Sequence, residues 1–472
     1  MSLRSRAVMA VALTIGFYVL AIGIISGLIA VLFIPNVPGR VFGFCLVGAA
    51  VIAISIVPWP RRFVPPGPML NPAGQPQLFA ELQGVANAVG EAMPAEVYVT
   101  PEMNAGVFQR GRRRVMVLGL PLMQIMSVAQ MRAVIAHEFG HYHGGDTRLG
   151  PWIYRTREAI ERALSFSSRQ SVLLQLPFLL YGRMFMRVTQ AVSRRQELTA
   201  DALAARTVGA KPMIHGLRAL ARGSIAWSGY WRQEVVPLIE AGFQPPVMEG
   251  FARFLAEPGV AERLDKATEH LLAESKPDPY DSHPPDSERI AALAALPAGP
   301  EVDEGPPAIT LVNGVETIEP TILAGFLNPG IRLRPIRWEQ AGTAALMPGL
   351  RTRVARQAQL VSGYTVGWLP ELLKYADRLG QSEASAARRK VAPDEARSLG
   401  VGLAGAALAT ALSQNGWTAE SLPGRPITMR RGDAVLQPFE EADRLARGEV
   451  DTETWQRRCW DLGIRDLSLA PS

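Results

Sequence analysis

The sequence predicts a mainly α-helical (α+β) protein in three parts: an N-terminal transmembrane helical hairpin, a soluble domain with a small β-sheet, and a C-terminal α+β accessory domain. Three observations carry this expectation. Two long apolar runs without a charged residue open the chain, helical periodicity dominates the remainder, and short alternating segments interrupt it between residues 96 and 118. A chain of 472 residues is also too long for one ordinary core, since domains cluster at about 100–200 residues.

The first apolar run, Ala7 to Ile34, holds 28 residues without a charge, and the second, Val41 to Trp59, holds 19. A bilayer core about 30 Å thick needs about 20 apolar residues in a helix, so both read as spans. Pro35 to Arg40 joins them through a Pro38-Gly39 turn signal, giving a tight hairpin. Arg4 and Arg6 precede the first span and Arg61 and Arg62 follow the second, whereas the turn carries only Arg40. The positive-inside rule then places both ends of this multi-pass chain in the cytoplasm, the orientation expected of a protein of the inner (plasma) membrane. A cleaved signal peptide is the competing reading of the first run, which is far longer than the usual 7–15 residues. Val172 to Val188, interrupted by Gln175, Pro177 and Arg183, and the Gly/Ala-rich Leu399 to Leu412 are weaker apolar stretches. The second reads as a close-packed buried helix ending at Gly416.

Composition narrows the function classes. Hydrophobic residues are 48% and charged residues 19%, which excludes a disordered or collagen-like chain. The excess of 49 Lys and Arg over 43 Asp and Glu gives +6. With aromatics at 7% and no dense basic stretch, that excess fits a lipid bilayer better than nucleic acid. Cys45 and Cys459 stand far apart and offer neither a disulfide framework nor a CxxC knuckle, so any metal must be held by His and carboxylates.

The punctuation predicts a hairpin in 1–60, a Pro-rich linker in 61–76, a soluble domain in 77–296, a second linker in 297–307 and an accessory domain in 308–472. The second linker combines Pro297, Pro300 and Pro306 with the acidic Glu301, Asp303 and Glu304. Glu96 to Thr100 alternates as a strand, and Asn104 to Gln109 and Arg114 to Leu118 flank an Arg-Gly-Arg turn as a hairpin. Ser127 to Gln130 has capping-box spacing and opens a helix that Gly144-Gly145 would stop. In the accessory region, Ala308 to Val312 reads as β-like and Leu369 to Leu379 as helix.

Inside the capped helix lies His137-Glu138-Phe139-Gly140-His141, an HExxH motif. Its two imidazoles stand at i and i+4 on one helix face, able to grip one Zn2+, with Glu138 beside the metal. A catalytic zinc takes three protein ligands. The helical run from Met184 to Val208 supplies Glu197-Leu-Thr-Ala-Asp201, whose carboxylates again share a face; Glu197 would complete the ligand set and Asp201 would orient a ligand imidazole. A solvated acidic helix face is the bland alternative. His143, two residues beyond His141, falls off the zinc face and reads as a helix-end residue; His215 and His270 lack a partner motif; all three read as structural, and Asp146 as an end cap.

With HEFGH trailing into Gly145-Asp146-Thr147, ELTAD at Glu197 to Asp201, SHPPDSER at Ser282 to Arg289 and the N-terminal hairpin, the chain resembles the HtpX and CAAX prenyl protease type 1 family of membrane zinc metallopeptidases, which are gluzincins. The resemblance covers roughly residues 1–300. It implies a gluzincin-type zinc metallopeptidase domain, a zinc-dependent endopeptidase cutting internal peptide bonds of protein substrates, and a place in membrane protein quality control. It implies that His283 and Arg289 stabilise the oxyanion or hold the Glu197 helix, and that Asn104 and the strand after it present an edge to an extended substrate. The chain departs from the family in offering one candidate membrane segment, not two, between the zinc helix and the third ligand. Two other functions compete: a CAAX-type processing protease, whose chamber needs many more membrane helices, and a membrane-anchored adaptor with a vestigial site working through 308–472. For that region the roles open are regulation, substrate capture or homo-oligomer formation.

Overall fold

The computed structural model describes residues 3–57, 63–143, 156–157, 159–162, 164, 172–275, 284–297, 303–325, 331–386 and 388–470. Its mainly α-helical chain, with small sheets, divides into two compact units. The first is Met1–Gly223 with Ala267–Gly314, the second Ser224–Lys266 with Val315–Ser472. This division does not coincide with boundaries read along the sequence, because 224–266 packs with the C-terminal part and 303–314 with the N-terminal part.

In the first unit, α1 (Leu3–Leu32) and α2 (Gly39–Ile56) pack together as the expected hairpin. Both are long and apolar enough to cross a bilayer. Phe17, Ala21 and Ile52 are buried, while Ile15, Val19, Ile22 and Ile29 point outward, as lipid-facing positions do. After α2 come β1 (Met69–Leu70), α3 (Pro76–Val89), β2 (Glu96–Thr100), β3 (Ala105–Arg110) and β4 (Arg113–Gly119). β3 and β4 form the expected hairpin through Gly111, whose φ of 61° suits the glycine. The sheet order is β1-β2-β4-β3, with β2 and β4 parallel and β3 at one edge. The expected 61–76 linker is partly sheet instead: Met69 and Leu70, the first non-Pro, non-Gly pair after Pro65 to Pro68, add antiparallel to Tyr98 and Val97.

After the short α4 (Leu120–Ile125), α5 (Val128–His143) carries the HExxH motif. Its capping box forms as read: Gln130 N donates to Ser127 Oγ at 3.1 Å and Ser127 N to Gln130 Oε1 at 3.3 Å. Three further fastenings hold α5. Arg132 grips Glu81 of α3 through two hydrogen bonds of 2.6 and 2.8 Å. Tyr142 Oη donates to Val115 O of β4 at 3.1 Å. The stretch around residue 304, expected as part of a linker, is strapped across the start of the helix. Val128 N donates to Pro306 O, Ala129 N to Glu304 O and Ala308 N to Met126 O, and the Glu304 carboxylate accepts from Ser127 Oγ and Gln130 Nε2 and pairs with His215 Nδ1 at 2.8 Å. An anionic side chain suits the helix N-terminus, where unpaired N–H groups gather positive potential. The expected stop at Gly144-Gly145 and the reading of Asp146 fall outside the described residues.

α6 (Val172–Thr207) is one continuous helix of 36 residues, about 54 Å at 1.5 Å per residue. Its first half contains Val172 to Val188 and packs on α1. The rings of Phe178 and Tyr181 lie 6.2 and 6.1 Å from that of Phe17, and Tyr181 Oη donates to Leu13 O at 2.6 Å. Gly16 permits this, since a Cβ there would stand 2.5 Å from the Tyr181 oxygen. Its second half carries Glu197 and Asp201, so one rod links the hairpin to the motif residues. α7 (Ala210–Tyr230) follows, and α8 (Asp286–Ala294) brings Arg289 against α6.

The second unit is built around α9 (Pro393–Gln414), itself long and apolar enough to span a membrane but largely buried in its own core. The helix Ala376–Ala386 packs closely on α9 through Gly380 and Gly400, where Cβ atoms would stand 1.7 and 1.8 Å from Ala396 O and Ala376 O. A three-stranded antiparallel sheet, Thr418–Glu420, Thr428–Arg431 and Ala434–Leu436, packs beside it. Two expectations are corrected. Ala308–Leu311 forms a 3₁₀ turn, not a strand, with Val312 N returning to Ile309 O. The helix expected over Leu369 to Leu379 is broken at Lys374 and Tyr375 into Leu369–Leu373 and Ala376–Ala386.

Candidate metal centre

The centre exists because α5 and α6 approach closely at one point. A Cβ on Gly140 would stand 3.1 Å from both Cα and Cβ of Ala200, so the glycine of HEFGH faces the alanine of ELTAD. One residue of bulk on either side would separate the helices. His137 lies three residues before Gly140 and Glu197 three before Ala200, which brings their side chains to the same seam.

There, His137, His141 and Glu197 form a group that could hold a metal ion. His137 Nε2 lies 3.2 Å from His141 Nε2 and 3.4 Å from Glu197 Oε2. His141 Nε2 lies 3.6 Å from Glu197 Oε1. A tetrahedral ion with bonds of about 2.0–2.1 Å requires neighbouring donors about 3.3–3.4 Å apart, so the donor set fits a small divalent cation by both chemistry and spacing.

Asp201 Oδ1 is 2.9 Å from His137 Nδ1. A proton held on Nδ1 leaves Nε2 with its lone pair toward the other two donors, which is how an outer carboxylate orients a ligand imidazole. Arg289 in turn grips Asp201 with Nε at 2.8 Å and Nη2 at 2.7 Å, and its Nη2 is 3.6 Å from Glu197 Oε2. All of these groups except His141 are almost fully buried. Of the two roles the resemblance gave Arg289, oxyanion stabiliser or holder of the Glu197 helix, this arrangement favours the second, because both prongs of its guanidinium are engaged by Asp201. His283 lies outside the described residues.

Burial pushes the Glu138 carboxyl above the usual range, against the pull of the two imidazoles. Burial would raise Asp201 too, but the hydrogen bonds from Arg289 and His137 outweigh it and hold it low. Burial alone would lower His137, yet its bonds to Asp201 and Glu197 outweigh that and raise it to about 9. A metal ligand must be deprotonated. With the proton favoured below about pH 9, loading should release it, and affinity should fall by up to about tenfold for each pH unit below that value. Chelator-competition titrations across neutral pH would check this; a flat profile would contradict it.

Asn104 is exposed at the start of the edge strand β3, its carbonyl accepting from Gly119 N at 2.8 Å, and β3 packs beside α5. His215 pairs with Glu304 and His270 with Glu274 at 3.2 Å, neither beside the metal group. Glu304, Glu81 and Tyr142 also support the motif helix, but their partners are remote in sequence and no local spacing marks them.

The seam predicts its own test. Gly140→Leu should overpack it by about 1–3 kcal/mol and lower metal affinity at least tenfold, measured by metal content and thermal unfolding. Unchanged metal binding would show that the Gly140–Ala200 contact does not set the site.

Residues 72–296 match the model of peptidase family M48. A protease HtpX homolog of Bacillus velezensis is 27% identical over 198 residues, covering 36% of this chain and 65% of that protein. Proteases HtpX of Idiomarina loihiensis and Tolumonas auensis are each 27% identical over 203 and 209 residues, covering 39% of this chain and 70% and 71% of theirs. No solved structure matches the chain.

Proposed function

We propose, from the match of residues 72–296 to peptidase family M48 and the likeness to HtpX proteases, that this chain is an HtpX-like zinc-dependent endopeptidase acting on protein substrates. The observation that carries this reading is the His137, His141 and Glu197 triangle with Glu138 on the turn between the two histidines. Zinc, when bound there, supplies Lewis-acid activation of water and of the scissile carbonyl. The remaining work falls to the chain. Glu138 takes the proton of the attacking water and returns it to the leaving amine. In the metal-free site burial lifts this carboxyl, the direction that favours holding the proton long enough to return it. Asp201 holds the His137 tautomer, and Arg289 holds Asp201. His283 is proposed to assist the oxyanion by resemblance, and β3, beginning after Asn104, to add an extended substrate as a further strand.

The arginines flanking the hairpin support placing both ends, and so the catalytic part, on the cytoplasmic side of the inner membrane. Quality control of membrane proteins is the proposed role, with 77–296 as catalytic domain and 308–472 as accessory. The CAAX-processing alternative has little support, because three helices among the described residues are apolar enough to span and one of them is a buried core helix. Metal analysis and a casein digest test the reading against a vestigial adaptor. One zinc per chain, lost in His137→Ala together with hydrolysis, is the expected outcome; a metal-free chain with no hydrolysis would favour the adaptor.

A further inference from the structure

On the outer face of the β1-β2-β4-β3 sheet, Glu96, Tyr98 and Val115 are already buried, and the part left open lies toward the β3–β4 hairpin tip. Pairing puts Glu96 and Tyr98 of β2, Arg113, Val115 and Val117 of β4, and Phe108 and Arg110 of β3 on one face. Phe63, seven residues beyond the last residue of α2, lies across it, with ring centroids 6.1 Å from Tyr98 and 6.4 Å from Phe108. The Arg110 guanidinium sits over the Phe63 ring at 4.2 Å. Two apolar side chains here stay open to solvent: Val64, next to Phe63 in the chain, is 80% exposed and Phe108 38%. Its rim is basic. Arg110 and Arg113 share the buried Glu96, and exposed Arg112, at the hairpin tip, has no partner among the described residues. Three arginines against one carboxylate leave the tip at +2.

The chain itself limits what can cover this face. Seven residues reach at most about 25 Å, so Phe63 and the arginines stacked on it cannot stray far from where α2 leaves the bilayer. Apolar and aromatic side chains ringed by arginine suit the boundary between acyl chains and headgroups. Attraction to anionic phosphates acts within about 8–10 Å at ordinary salt. We propose that the β3–β4 hairpin tip, with Phe63 and Val64, docks on the anionic headgroup surface of the same bilayer that holds α1 and α2. β3 is the exposed edge of the sheet, so this contact would hold that edge at the membrane surface. The inference needs the hairpin to be in a bilayer but not the hydrolytic chemistry, and it stands or falls apart from it.

The test uses the full chain in lipid nanodiscs of phosphatidylcholine, with or without phosphatidylglycerol. A fluorophore is placed at Arg112→Cys, or at Glu269→Cys on the exposed face of Pro258–Glu274 as control; native Cys45 and Cys459 are buried. Quenching by a nitroxide attached to lipid headgroups is read for each. Position 112 is expected to be quenched several-fold more than position 269, more strongly with phosphatidylglycerol, and less in high salt. A second variant carries the fluorophore at Val64→Cys with Arg112→Glu, and its quenching should drop at least twofold relative to Val64→Cys alone. Equal quenching at 112 and 269, or quenching indifferent to both lipid charge and Arg112→Glu, would overturn the proposal; the first would point to a protein partner or open solvent at this face.

Discussion

Glu138→Gln should lose hydrolysis almost completely while keeping its metal. Glu138 is not among the three clustered donors, and a glutamine fills the same volume on the same turn of α5, so the helix seam and the His137, His141 and Glu197 spacing are unaffected. What disappears is a group able to take a proton and give it back. General acid–base catalysis contributes about 10²–10⁴-fold, and here one side chain serves both directions, which places the expected loss in kcat toward the upper end. KM should change little, since the side chain's work lies in the proton transfer. The variant should also lose the acid limb of the pH–rate profile. Glu138 can serve as base only when ionised, so turnover of the native chain is expected to rise with pH through the titration of that carboxyl. Zinc content measured beside casein or peptide hydrolysis decides the matter. Retained turnover with full zinc would remove Glu138 from its role, and lost zinc would make it a structural support of the donor set.

How much of the fold and site was legible beforehand depends on how local each feature is. The capping box at Ser127 and Gln130, the imidazole pair of α5 and the carboxylate pair of α6 are all spacings within one helix, where sequence distance fixes spatial distance. The β3–β4 hairpin was readable for the same reason, with Gly111 at its turn. Features that join remote segments were not. The parallel pairing of β2 with β4 and the addition of Met69 and Leu70 to the sheet depend on how the strands pack on the helices, about which the alternation of one strand says nothing. Glu304 looked like part of an acidic linker, yet it caps a helix start 177 residues earlier in the chain, and only folding brings the two together. Gly140 was visible as a letter of a motif, but its role needs Ala200 opposite. Arg289 lies between these cases: resemblance marked it and left two roles, and its bonds to Asp201 give a reason to prefer one.

Arg289→Met should destabilise the chain by about 3–5 kcal/mol, because it leaves the carboxylate of Asp201 buried with its main partner gone. Zinc affinity should fall about 10–100-fold as the Asp201–His137 orientation loosens. Arg289→Lys should recover part of the stability through its charge but not the two-pronged grip, whose bonds at 2.8 and 2.7 Å come from one planar fork. The pH dependence has a definite sign. Native Asp201 is held below its ordinary pKa, so its contribution is present above that ordinary value and is lost only as pH falls through the depressed one. In Arg289→Met, burial is no longer outweighed by the guanidinium, the carboxyl takes up a proton at higher pH, and the stability gap to the native chain should narrow on acidification. Adding Asp201→Asn to Arg289→Met should return stability toward native, since the buried charge is then gone, a non-additivity that a double-mutant cycle measures. An Arg289 that instead touched the oxyanion would give the opposite pattern: Arg289→Met with native zinc affinity and stability, kcat alone reduced, and simple additivity with Asp201→Asn.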